Sequence, residues 1–341
     1  MRRLRSLAAA GLAALLSSGP AAAEPDHDAI AARAASEHVR PRVTALAEAT
    51  AALRDAAAEG CASAELAPLY HAAFDAWVDV QHVAFGPIES GDRRFATQFW
   101  PDSRGATAKT VARLEASQDP VVFDPDAFAT RSVAARGLMA LERLLFEEAR
   151  TDAAYRCALT AAVASDLART AAEVQAEWRG AFSEVWARPG PENPLYRAAQ
   201  DRTRDLYRSL DSGLLSLIDL RLGRPLGTFA KPRPRRAEAW RSERPLTNIA
   251  RAIDALEHLF AVAVAPELST PARTEITAAF AAARAAAADA PRPLIDAVAA
   301  PTSRIKIEAI QTAVAGVRRD LSRLAAPALG VAGGFNSLDG D

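Results

Sequence analysis

The chain has 341 residues, 24% of them charged and 50% apolar, with a formal net charge of −1. That length allows about two domains with a substantial core, and the apolar content and small charge exclude intrinsic disorder. Gly 17, Pro 21 and Cys 2 exclude collagen-like and disulfide-dense classes.

The N-terminus has the layout of a secretory leader. Arg2, Arg3 and Arg5 precede an apolar stretch from Leu7 to Leu16, and Ala21-Ala22-Ala23 forms a small-residue cleavage signal. Cleavage is expected after Ala23, which gives residues 1–23 as the signal peptide and the periplasm as the compartment. Removing three Arg and no acid leaves 38 bases against 42 acids, so no nucleic-acid footprint is expected. No transmembrane span is expected in the mature chain.

Helical periodicity dominates the remainder. Helices are predicted near 26–59, 63–84, 106–117, 127–149, 151–187, 195–222, 246–264, 269–288 and 303–325, with Val121-Val122-Phe123 the longest strand-like patch. Pro41 is expected to kink or split the first helix. His27 and His38 read as solvent positions, whereas His82 borders an irregular segment. Cys61 and Cys157 lie near two helix starts, and export permits a disulfide between them. Two segments, 85–105 and 223–245, are long and irregular, a length that marks function or disorder. The first is expected to be an ordered, packed loop. The basic run Lys231–Arg236 in the second reads as a solvated face. The fold class is all-α, with two antiparallel helical-bundle halves related by a weak internal duplication. Their boundaries are 24–223 and 246–341, joined by a linker at 224–245.

The duplication rests on two segments 115 residues apart, RGLMALERLLF at 136–146 and RAIDALEHLFA at 251–261. In each copy a glutamate, Glu142 or Glu257, falls at the edge of an apolar helical face. A carboxylate there must be hydrogen-bonded, paired or coordinated. Asp254, Glu257 and His258 can share one flank of the second copy, a cluster able to hold a divalent or ferric ion or to form salt bridges. For Glu142 the alternatives are pairing with Arg93 or Arg94 and a role in a pocket. Trp77, Trp178 and Trp186 read as core anchors; Trp100 and Trp240 are expected to line a cleft.

Several motifs together resemble the imelysin family over almost the whole mature length. They are Trp77 with Phe85-Gly86-Pro87, Trp100-Pro101-Asp102, Arg136-Gly137-Leu138-Met139-Ala140-Leu141-Glu142, Trp240-Arg241-Ser242, and the ending Gly334-Phe335-Asn336-Ser337-Leu338-Asp339-Gly340-Asp341. The resemblance implies an all-helical bacterial envelope protein tied to iron or other metal acquisition, with an association with metallopeptidase activity. Its hallmark GxHxxE is matched by Gly137 and Glu142, but Met139 replaces the histidine. A thioether is a poor ligand for iron(III) or zinc and cannot act as a base, so peptidase activity is not expected. The expected function is binding of a metal ion, a metal chelate or a small envelope solute in a pocket between the halves, with envelope metal-uptake proteins as partners. The ligand-binding candidates are Glu142, Met139, Arg93, Arg94, Trp100, Arg136 and Asn336, with the Gly-rich tail packing back on the cleft. The metal candidates are Glu142, Asp254, Glu257 and His258. A metal-dependent hydrolase and a ligand-free scaffold are the alternatives.

Overall fold

The computed structural model describes residues 24–331. The leader, Asn336 and the tail beyond 331 lie outside the described residues. Among those described there is no strand; the one β-bridge joins Thr228 to Lys231. The protein is all-α.

Asp26 caps α1 (His27–Arg33) by accepting from the Ala29 amide. This helix continues through a π-helical turn, Ala34–Val39, into α2 (Arg40–Glu59). The wider turn precedes Pro41, which sits at the start of α2 where its missing N–H is tolerated. The expected kink is therefore absorbed by a π-bulge. Gly60 stops α2, and Cys61 begins the short connection to α3 (Ser63–Val80). The segment at 85–105 is ordered, with a 3₁₀ turn and α4 (Arg93–Thr97). After α5 (Ala106–Ser117), the patch at Val121 forms a 3₁₀ turn capped by Asp119 rather than a strand. α6 (Pro125–Ala129) and α7 (Gly137–Phe146) divide what periodicity reads as one helix. Gly180 likewise separates α8 (Ala153–Arg179) from α9 (Ala181–Ala187).

α10 (Ala199–Leu215) passes through a second π-helical stretch, Ser216–Gly223, into the short α11 (Arg224–Leu226). An irregular strap then leads to α12 (Pro245–Leu259), α13 (Thr270–Ala288), α14 (Leu294–Ala299) and α15 (Pro301–Asp320). α2 packs on α3 and α8, and α7 packs on both of those helices. α13 packs on α15 and α12, while α10 packs on α1, α12 and α15. The α3–α12 contact joins the two groups across one continuous apolar core.

Trp77, Trp178 and Trp186 are buried, and Phe85 stacks on Trp186 with ring centroids 4.9 Å apart. Burying a side chain of this size contributes roughly 1.5–3 kcal/mol. Cys61 and Cys157 form the expected disulfide, with Cα atoms 5.1 Å apart, and tether the start of α3 to the first turns of α8. Closing a loop of this length contributes about 3–5 kcal/mol on the chain-entropy account.

Candidate functional site

The site begins at α7. Gly137 opens this helix at φ +67°, and a Cβ there would stand 2.1 Å from the Ala96 carbonyl oxygen. Only glycine lets α7 start against the backbone of α4. That contact sets where Met139 and Glu142 fall.

Glu142 is fully buried. The strap reaches it from 99 and 100 residues away: Oε1 accepts from the Arg241 amide at 2.9 Å and from the Ser242 amide and hydroxyl at 3.1 Å each. Oε2 has no hydrogen-bond partner, and its nearest cation, Arg241 Nη1, is 3.8 Å away. Burial pushes the Glu142 carboxyl up from its ordinary range, against the pull of Arg241 and the Ser242 donors. The same burial, reinforced by the charge of Glu142, holds the Tyr70 hydroxyl well above its usual value.

Glu142 and Met139 line a cavity of about 320 Å³ together with Trp100, Trp240 and Asp102. The two tryptophans expected to line a cleft do so. Asp102 caps α5, accepting from the Ala106 and Thr107 amides at 2.9 and 2.8 Å. Burial would raise its pKa, yet these backbone donors bring it below the ordinary range. Five arginines also line this cavity: Arg143, Arg224, Arg235, Arg236 and Arg241. Arg235 and Arg236 belong to the run read as a solvated face; both are exposed, but on the cavity side of the strap.

The wall behind this cavity is a network that sequence reasoning missed. Glu238, buried in the strap, pairs with Arg221 at 2.8 and 2.9 Å. It also accepts from Gln98 Nε2 at 2.8 Å and Asn248 Nδ2 at 2.7 Å. Burial alone would raise Glu238, but Arg221 and these donors hold it below the ordinary carboxylate range. Trp77 Nε1 donates to Gln98 Oε1 at 2.6 Å, which fixes the amide that faces Glu238. The available signal was an arginine-rich stretch with only two acids, Glu238 and Glu243. Beyond this wall lies a second cavity of about 300 Å³, lined by Trp77, His82, Arg94, Arg221 and the other side of Trp100.

The remaining candidates go elsewhere. Arg93 pairs with Glu173 and Glu177, and Arg94 pairs with Glu89 and donates to the Gln81 and Val83 carbonyls. Neither touches Glu142, because backbone amides of the strap occupy its accepting oxygen. Arg136 forms a buried fork on Asp166, at 2.7 and 3.1 Å, and reaches Asp92. It ties α7 to α8 outside the first cavity. Asp254 is exposed, Glu257 pairs with Arg284 at 3.0 Å, and His258 turns to His38.

His38 corrects the sequence expectation: it is fully buried, not solvent-facing. It lies on the same buried face as Ala31, Ala34 and Ala35, with Nδ1 3.0 Å from His258 Nδ1 and Nε2 2.8 Å from His82 Nε2. Burial, then the neighbouring His82 and Arg42, push His38 far below the ordinary imidazole range; burial and Arg42 take His82 down to about 3. His38 spends its two nitrogens on opposite neighbours, so the three rings do not converge on one point. Among the described residues, no group of three or more His, Cys, Asp and Glu is placed to hold a metal ion.

No curated protein matches the chain in sequence. In fold it is similar to an imelysin-like protein from Psychrobacter arcticum 273-4, with TM-score 0.72 and 18% identity over 91% of this chain and 97% of that one. It is also similar to a protein from Parabacteroides distasonis ATCC 8503 described as an iron-regulated protein A precursor, with TM-score 0.73 and 12% identity over 88% and 95% of the two chains. The Imelysin family profile matches residues 34–321, and the chain belongs to that family.

Proposed function

We propose that this protein is an exported binding protein for a small envelope solute or metal chelate, linked to metal acquisition, whose ligand occupies the cavity at Glu142. The observation that carries this reading is a fully buried carboxylate in the wall of that cavity, one of whose oxygens, Oε2, has no hydrogen-bond partner. An orphaned buried acceptor costs about 1–3 kcal/mol unless something donates to it. The family membership and the iron-regulated protein of similar fold support the link to metals. The disulfide and the leader-like N-terminus support a periplasmic location. Among the described residues no helix is long and apolar enough to cross a membrane.

The residues around this cavity do not fit a bare metal ion. One carboxylate oxygen is already engaged, Met139 offers a thioether that accepts from Gln98 at 4.0 Å, and five guanidinium groups stand around them. The hydrolase reading lacks a set of donors that could activate water, since Glu257 and His258 are turned to different partners.

The test is binding to the mature chain, read as a rise in Tm across small solutes that include Fe(III)–citrate and Zn²⁺. Saturation at roughly 100 times Kd stabilises the folded state by about 2.7 kcal/mol. The shift should be lost in Glu142→Ala and kept in His258→Ala. Peptide cleavage that survives Glu142→Ala but not His258→Ala would replace this reading with the hydrolase. A chain that binds none of the solutes would be left as a scaffold.

A further inference from the structure

The charge around the first cavity is unbalanced. Its two carboxylates, Asp102 and Glu142, are each bound by backbone amides. Arg143 and Arg241 share Glu147 as a counter-ion. Arg224, Arg235 and Arg236 also line the cavity, yet among the described residues none of the three forms an ion pair or a side-chain hydrogen bond. Nε of Arg224 is buried with no partner. Three cations gathered at a concave site with no ion-pair partner of their own repel one another, and that cost is relieved when a further anion enters.

Their placement is built into the backbone. Arg224 opens α11, while Arg235 and Arg236 end a proline-initiated 3₁₀ turn, Pro234–Arg236. The Arg233 amide donates to the Pro225 carbonyl at 2.8 Å, which closes the strap and brings the two turns together. Trp240 holds two guanidinium groups against its ring, Arg241 at 4.4 Å and Arg235 at 5.5 Å from the centroid. Stacking of this kind orients the guanidinium plane without consuming its N–H donors.

Resting on the reading of this cavity as the ligand site, we propose that the ligand is a small polyanion with clustered carboxylate or phosphate groups. Arg224, Arg235 and Arg236 hold its charge, beside a wall that Glu142 and Met139 help to form. Guanidinium forks match the paired oxygens of both anion types. The burial and the Arg236 charge that lower the Arg224 pKa point the same way, since a bound anion would reverse that penalty. A metal would then reach this site inside an anionic chelate, not as a free cation.

The experiment is calorimetric titration of the mature chain with citrate and with pyrophosphate, beside Zn²⁺ and glucose. One or both anions should bind at a single site, with affinity that falls as NaCl rises. The double variant Arg235→Gln/Arg236→Gln should weaken that binding at least tenfold in a chain that still unfolds cooperatively, since both side chains are exposed. Citrate alone would assign carboxylates; pyrophosphate alone would assign phosphates. Failure of both anions at millimolar concentration overturns the inference, as does anion binding that ignores the arginine variants. If Zn²⁺ or glucose binds instead and Glu142→Gln abolishes it, the polyanion is wrong while the binding site stands. Binding of nothing at all removes both.

Discussion

The segments 136–146 at α7 and 251–261 at α12 share five of eleven residues, a glutamate among them, yet they treat their glutamates in opposite ways. Glu142 is sealed in the interior against two amides and a hydroxyl from the strap, and Glu257 sits half-buried in an ion pair with Arg284. Apolar neighbours at helical spacing are therefore not what buries a carboxylate. What differs is the element laid across the helix: the strap at 241–242 covers α7, and a partly exposed arginine on α13 faces α12. The first glutamate is built into a cavity wall, and the second makes an ordinary surface contact.

The widest gap between the two helices is expected at their second positions. Gly137→Ala forces a Cβ into the Ala96 and Thr97 carbonyls at a left-handed φ and should cost about 4 kcal/mol or more. The matching change in α12, Ala252→Gly, loses one buried methyl besides helix propensity and should cost about 2 kcal/mol. Urea unfolding of both variants gives the ratio directly.

Acid should act through the buried histidine pair that stands beside His258 of α12. His38 and His82 have folded pKa values below the unfolded value, so the unfolded chain binds the extra protons. Their stabilisation is complete above about pH 6.5 and is lost as pH falls toward about 3 for His82. The slope is up to about 1.4 kcal/mol per pH unit for each excluded proton. Glu142 works with the opposite sign, because its raised pKa favours the folded state as it protonates. Urea midpoints between pH 7 and pH 4 should fall in the wild type (roughly the window of the unfolded imidazole) and fall less in His82→Gln.

The glutamates themselves give the smaller effects. Glu142→Ala strands three donors and should cost about 2 kcal/mol, with Glu142→Gln milder because it keeps an acceptor. Glu257→Ala should stay within about 0.5 kcal/mol, as expected for a half-exposed pair. Equal losses from the two alanine variants would erase the distinction between a cavity wall and a surface contact.

What could be read from the sequence was local. Periodicity found the helices, and the apolar edge at Glu142, the tryptophans at 100 and 240 and the cysteine pair all led to real features. Glycine at 137 and the π-turns broke helices that a 3.6-residue pattern runs straight through. Partners distant in sequence were not legible. Arg93 and Arg94 looked close to Glu142 only because nothing in the sequence announces that backbone amides 99 residues away take its oxygen. His38 looked exposed because it stands near the start of the first helix and nothing in the sequence announces the two histidines that pack against it, and Glu238 hid in a segment read as proline- and arginine-rich.

The strap is riveted along its C-terminal half. Glu238 binds Arg221 and Asn248, Ser242 binds Glu142, and Arg244 binds Asp75 and His71 on α3. A connection fastened in this way is not a hinge, so the two helical groups cannot open and shut on a guest like the leaves of a clamshell. A ligand of the proposed site would then enter by diffusion through a standing doorway, and little ordering entropy would be spent on its arrival.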